Sequence, residues 1–182
     1  VRFEKTGLSW YDGDTCNEAI GQGAVLVTPI QMAMVVSAIE NKGTYYQPFL
    51  IDSIRDQNGN IVEKTNLKIV KKIEMSDETY GIIEEGMKNV AKNPEGTVSW
   101  FLRNSPGNIR VKTGTAEAYE IVDGQSVYRT HGWIVGAFDY NDKTYTFCFH
   151  MNFGGGGFYI AQSTKRYLNC VFNNFNDGCE NI

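Results

Sequence analysis

Apolar and polar positions follow a helical period in the first half of the chain. At Thr28 the run Thr-Pro-Ile-Gln reads as a capping box with proline at the first helical position, and Ile30, Met34, Ser37, Ala38 and Asn41 continue in helical register. Gly43 ends that helix. Phe49 to Arg55 and Ile61 to Glu63 flank Gln57-Asn58-Gly59-Asn60, and Asn-Gly between extended runs predicts a hairpin. Ser76 opens a second helix through Tyr80, Ile83, Met87 and Val90. It closes before Asn93-Pro94, because proline pushes the residue before it out of helical space.

The second half changes period. Asn108 to Ala116, His131 to Phe138 and Lys143 to Phe153 read as strands, with Asn141-Asp142 making a tight antiparallel turn between the last two. After Gly154 to Gly157, the stretch Phe158 to Phe175 carries Tyr159, Ala161, Tyr167, Leu168, Val171, Phe172 and Phe175 as a helical stripe that fits one sheet face. Helices, hairpin, sheet and final helix predict an α+β fold, a largely antiparallel sheet with helices packed on its faces. No internal repeat or composition shift divides the chain, so residues 1–182 read as part of one domain.

Composition narrows the function classes. The 182 residues are 42% hydrophobic and 21% charged, with a net charge of −4 and no long block of one sign, which argues against an electrostatic grip on nucleic acid. The apolar runs Met32 to Ile39 and Thr146 to Phe153 are too short to span a bilayer. The chain begins Val-Arg-Phe-Glu, without an initiator methionine or a leader pattern, and reads as the interior of a longer polypeptide.

Lys112-Thr113-Gly114-Thr115 follows the apolar-leading strand Ile109-Arg110-Val111. An ammonium and a hydroxyl there can hold a carboxylate beside a sheet edge, and glycine lets a substrate backbone lie close. The Thr115 N–H can then point at a developing oxyanion. Any exposed edge strand can carry such a tetrapeptide, so on these residues alone a purely structural role for Lys112 to Thr115 stays open.

The chain resembles the transpeptidase domain of penicillin-binding proteins, the serine enzymes that cross-link peptidoglycan and are acylated by β-lactams. The resemblance rests on Ala19-Ile20-Gly21-Gln22-Gly23, Val27 to Ala33, Asn41-Lys42-Gly43, Gly96-Thr97, Lys112 to Glu117 and His131 to Gly136, in the family's order and spacing. Three elements build this family's active site in chain order: Ser-x-x-Lys, Ser-x-Asn and the Lys-Thr-Gly strand. No serine here is followed three residues on by lysine, and no Ser-x-Asn precedes Lys112. The resemblance thus implies the C-terminal half of a penicillin-binding-protein or serine β-lactamase-like transpeptidase domain, incompetent by itself, with the nucleophile lying upstream of Val1. It also implies acyl transfer from D-Ala-D-Ala stem peptides, with catalytic roles for Lys112 and Thr115 and substrate binding by Lys112, Thr113, Gly114 and Thr115, as well as β-lactam binding and a place on the extracytoplasmic face of the bacterial membrane. Other members of the superfamily hydrolyse β-lactams or act as D-Ala carboxypeptidases. A β-lactam sensor or a non-catalytic stem-peptide-binding module is the alternative from another class.

The remaining candidates have plainer readings. Gly21-Gln22-Gly23 lacks the Lys-Ser/Thr of a phosphate loop and reads as a tight turn feeding the Thr28 helix. His131 reads as a histidine satisfied by backbone partners rather than a general base, and Glu117 as a solvated strand residue rather than a substrate contact. Asp14 with Cys16, and Cys148 with His150, are pairs at i, i+2, which extended chain places on one face. Together they make a candidate tetrahedral zinc site of structural type, not required for the chemistry. A Cys16–Cys148 disulfide and ordinary buried thiols are the alternatives. Cys170 and Cys179 form either a small bridge or two free thiols.

Overall fold

The computed structural model describes Gly7 and residues 9–173. Helix α1 spans Asp12–Ala19 and α2 spans Pro29–Glu40. Four short strands follow: β1 (Thr44–Tyr46), β2 (Ser53–Arg55), β3 (Ile61–Lys64) and β4 (Ile69–Lys72). Then come α3 (Asp77–Lys92), the single turn α4 (Ser99–Leu102), β5 (Arg110–Val122), β6 (Gln125–Tyr140), β7 (Lys143–Met151) and α5 (Gly157–Phe172).

The local signals act where the sequence puts them. Thr28 Oγ1 accepts from Gln31 N at 3.3 Å, and Gln31 Oε1 accepts from Thr28 N at 2.8 Å, so the capping box of α2 is complete. Ser76 Oγ caps α3 by accepting from Thr79 N at 3.1 Å. β2 pairs antiparallel with β3, and Asp56 Oδ1 accepts from Asn58 N and Asn60 N inside the turn. β1 and β4 pair as a second small sheet that the sequence pattern did not reveal.

The main sheet has the order β5-β6-β7, antiparallel throughout. Asn141 and Asp142 both take positive φ, 49° and 58°, which gives the two-residue turn a twist that matches the strands. Period-two alternation separates the two faces. Val111, Ile134, Phe138 and Phe147 meet Ile160, Ala161, Leu168 and Val171 of α5, with Ala91, Val98 and Leu102 closing this core from α3 and α4. Val135 and Ala137 face the other way, onto Val36 of α2 and Met87 of α3. The sheet is thus sandwiched, as the α+β expectation requires. Full burial of a side chain such as Leu168 contributes about 1.5–3 kcal/mol.

Two expectations need correction. Tyr159 does not belong to the buried stripe of α5: it is exposed, while Gly157, Ile160, Ala161, Thr164, Leu168 and Val171 share the buried face, from which the helical turn of about 100° per residue swings position 159 away. The strands are longer at one end than the sequence indicates: β5 and β6 pair continuously from Arg110↔Ala137 out to Val122↔Gln125, as a ribbon beyond the end of β7. Phe175 lies outside the described residues.

Candidate active site

Among the described residues β5 lies at the end of the sheet, paired on one side only, with β6. Its N–H and C=O groups alternate between β6 and the open edge. The carbonyl of Thr115 and the N–H of Glu117 both meet Gln22, and the carbonyl of Thr113 meets Lys112 Nζ, so the odd-numbered residues are the ones that face outward. The N–H groups of Thr113 and Thr115 point to the same edge.

The edge opens into a cleft of about 490 Å³. One wall is the Lys112–Glu117 stretch with His131, Trp133 and Val135; the other is Ile20 to Gly23, Val25 to Val27 and Met32. All four residues expected to bind substrate therefore line a single cavity. Lys112 is exposed, and its Nζ donates to Thr113 O at 2.6 Å, which places the positive charge beside the two outward N–H groups. A site with an ammonium, two edge N–H groups and an apolar opposite wall suits an extended peptide ending in an anionic group.

Small residues behind the strand allow this placement. A Cβ on Gly157 would meet the Trp133 carbonyl at 2.5 Å and Thr113 Cβ at 2.9 Å, so only glycine lets α5 start this close to β5. The Thr115 hydroxyl packs over Gly156, 3.0 Å from where a Cβ would stand there. The glycine run is thus the strand-to-helix connection expected from the sequence, and it also backs the site.

His131 Nδ1 accepts from Phe153 N at 3.1 Å, which satisfies that nitrogen from the backbone as the plainer reading held and leaves Nε2 to carry the proton of the neutral ring. His150 packs against Trp133 with ring centroids 3.9 Å apart and a tilt of 36°, and its buried Nε2 meets no hydrogen-bond partner among the described residues. Burial, then the neighbouring His131, holds the His150 pKa below its ordinary value. The unfolded chain therefore takes up the proton first, and stability present above about pH 6.5 is lost as pH falls below it. The urea midpoint of the protein is expected to fall between pH 7.5 and pH 5.5, and to fall less in His150→Gln. An equal fall in both would remove His150 as the cause.

The expected zinc set does not assemble. Residues 12–19 are helical, so Asp14 and Cys16 at i, i+2 point about 200° apart instead of sharing a face. Asp14 Oδ2 is taken by the Tyr11 N–H at the start of α1, and Cys16 is exposed. Cys148 and His150 do share a strand face, but Cys148 packs against the Val36–Val135 cluster, and burial pushes its thiol up to about 11, which disfavours the thiolate a metal needs. Among the described residues no group of three or more His, Cys, Asp or Glu is placed to hold a metal. Cys16 and Cys148 are both free, which also removes the alternative of a bridge between them. Cys170 is disulfide-bonded, and Cys179 lies outside the described residues.

Gln22 is the site residue that sequence reasoning missed. The sequence reads as a turn at this residue, and the turn is present, with Gly21 and Gly23 at φ 78° and 79°. Its side chain, however, reaches β5. The second signal overlooked is Asp123-Gly124, whose positive φ values of 51° and 77° make the β5–β6 turn. Asp-Gly between alternating runs would have shown the full length of the ribbon.

A family model described as "Penicillin binding protein transpeptidase domain" matches residues 2–175. "Peptidoglycan D,D-transpeptidase MrdA" of Escherichia coli is 26% identical over 178 residues, covering 93% of this chain and 28% of that protein. The protein of the same description from Salmonella typhimurium is 29% identical over 123 residues, covering 65% of this chain and 19% of that protein. Among solved structures, the Helicobacter pylori penicillin-binding protein PBP2, in a complex with MreC, superposes with a TM-score of 0.70 at 25% identity over 95% of this chain and 30% of that one. The matched stretch therefore spans only 19% to 28% of the length of these curated relatives.

Proposed function

Because the chain belongs to the penicillin-binding protein transpeptidase domain family, we propose that it forms the C-terminal part of a single peptidoglycan D,D-transpeptidase domain and supplies that domain's substrate strand. The observation that carries this reading is the free edge of β5, where Lys112, Thr113 and the Thr115 N–H meet one cleft.

The reaction is an acyl transfer in two halves. A serine oxygen from a segment N-terminal to Val1 attacks the carbonyl carbon of the penultimate D-Ala of a stem peptide. The bond to the terminal D-Ala breaks, and that residue leaves as the free amine with the serine's proton. An amine of a neighbouring stem peptide then attacks the ester, forms the cross-link and returns the serine with its proton. A β-lactam enters the first half, opens its ring and stays attached. Lys112 supplies positive field beside the terminal carboxylate, Thr113 offers its hydroxyl to that carboxylate, and Gly114 lets the substrate backbone approach. Thr115 N–H provides half of the oxyanion hole. Every step in this reading uses side-chain or backbone groups, with no metal called upon. Substrate chemistry of this kind places the domain on the extracytoplasmic face of the membrane, anchored by chain outside these residues. No helix among the described residues is long and apolar enough to cross a bilayer.

In the full-length protein, labelled penicillin is expected to attach to a serine upstream of Val1, and this chain alone should remain unlabelled. Lys112→Ala and Thr113→Ala are each expected to slow acylation by about ten- to a hundredfold, the worth of one charge-assisted hydrogen bond. Rates unchanged in both variants would remove the roles assigned to them.

A further inference from the structure

The side chain of Gln22 occupies the substrate edge. Nε2 donates to the Thr115 carbonyl at 3.0 Å, and Oε1 accepts from the Glu117 N–H at 3.2 Å. These are the two bonds that a neighbouring strand would otherwise make at this point of the edge. The partners lie 93 and 95 residues apart in the chain, so the contact is tertiary, and the flanking Gly21 and Gly23 with their positive φ present the side chain to the strand.

We propose that Gln22 is a specificity-determining residue that closes the substrate edge of β5 after the Thr115 N–H. An extended ligand then pairs with the Thr113 and Thr115 N–H groups, and it reaches the Thr115 carbonyl only by displacing the Gln22 amide. The inference rests on the reading of this edge as the substrate strand. Its chemical consequence is that a ligand N–H directed at the Thr115 carbonyl exchanges one amide donor for another, so the bond adds little to binding. Without Gln22 the same N–H meets a carbonyl bonded only to water and gains more.

A matched pair of peptide ester donors tests this: one keeps the N–H of the acyl-donating residue, the other is N-methylated there. In the full-length protein the ratio of their acylation rates is expected to rise about three- to tenfold in Gln22→Ala relative to wild type, the scale of one neutral hydrogen bond. The steric cost of the methyl group cancels in this comparison. Gln22→Glu keeps the side-chain length and the acceptor for Glu117 N–H but loses the donor to the carbonyl, and should shift the ratio in the same direction. Amide exchange gives a readout independent of activity: Glu117 N–H should exchange faster in Gln22→Ala than in wild type and stay protected in Gln22→Glu. A ratio within 1.5-fold of wild type in both variants, or unchanged Glu117 exchange in Gln22→Ala, overturns the proposal. Failure of the wild-type protein to react with either ester or with penicillin would instead overturn the transpeptidase reading, while the exchange result still decides whether Gln22 closes the edge.

Discussion

Replacing Thr115 with proline is expected to slow penicillin acylation of the full-length protein by about 10²- to 10³-fold, the usual cost of one oxyanion-hole donor. The argument is geometric. The Thr115 carbonyl meets Gln22 at the open edge, and N–H and C=O of one strand residue face the same side, so the Thr115 N–H makes no ladder bond to β6. Proline is tolerated on an edge strand where the lost N–H faces outward. Gly114 before it already lies in extended backbone, as a residue preceding proline must. The substitution thus removes the donor and spares the sheet. Thr115→Val keeps the N–H and deletes only the hydroxyl packed over Gly156, and should lose far less activity. Thermal melts establish that both variants fold, and acylation kinetics with a fluorescent penicillin give the rates. A folded Thr115→Pro protein within threefold of wild type would show that this N–H is not part of the oxyanion hole.

The sequence made the site legible where chemistry and backbone signal coincide. Lys112 to Thr115 stand out because an apolar strand leads into a lysine, a hydroxyl and a glycine, and the structure puts all of them on one cleft. The capping box of α2, the Asn141-Asp142 turn and the final helix were legible for the same reason, since each depends on neighbours a few residues away. What escaped were features that need the fold first. Gln22 is an ordinary turn residue until β5 is brought beside it, and the pairing of β1 with β4 joins strands too short to show a period. The zinc site failed on a local error with a non-local consequence. Asp14 and Cys16 share a face only in extended chain, and Asp12–Ala19 is helical with Asp12 and Asp14 in its first turn, where carboxylates favour the helix dipole.

Arg110 stands in an otherwise apolar-leading strand, yet it is the largest fully buried side chain among the described residues. Its side chain is 2% exposed. Nε and Nη2 donate to the two carboxylate oxygens of Glu40 at 3.0 and 2.9 Å, and Nη1 and Nη2 donate to Asp139 at 3.2 and 3.1 Å. Burial opposes the charge, but Glu40 and Asp139 outweigh it and hold the guanidinium pKa above its ordinary value. Arg110→Ala would strand the Glu40 carboxylate, only 10% exposed, without a partner, and is expected to destabilise the protein by about 3–5 kcal/mol. Asp139 contributes less, because at 41% exposure water screens it. Its burial raises its pKa, yet the bonds from Arg110, Asn108 and Thr144 bring it below the ordinary value. This contribution is therefore present above about pH 3.9 and is lost as pH falls through the folded-state pKa. Arg110→Met paired with Glu40→Leu replaces both charges with apolar groups and should recover most of the stability lost in Arg110→Ala, since the cost lies in the orphaned charge. Urea unfolding of the full-length protein measures each variant, and a loss below about 1 kcal/mol in Arg110→Ala would show that the pair does not hold the strand. The consequence reaches the site. Glu40 closes α2, which packs on the face of the sheet opposite α5, and Arg110 stands two residues before Lys112, so this ion pair ties the start of β5 to the helix that follows the cleft's second wall.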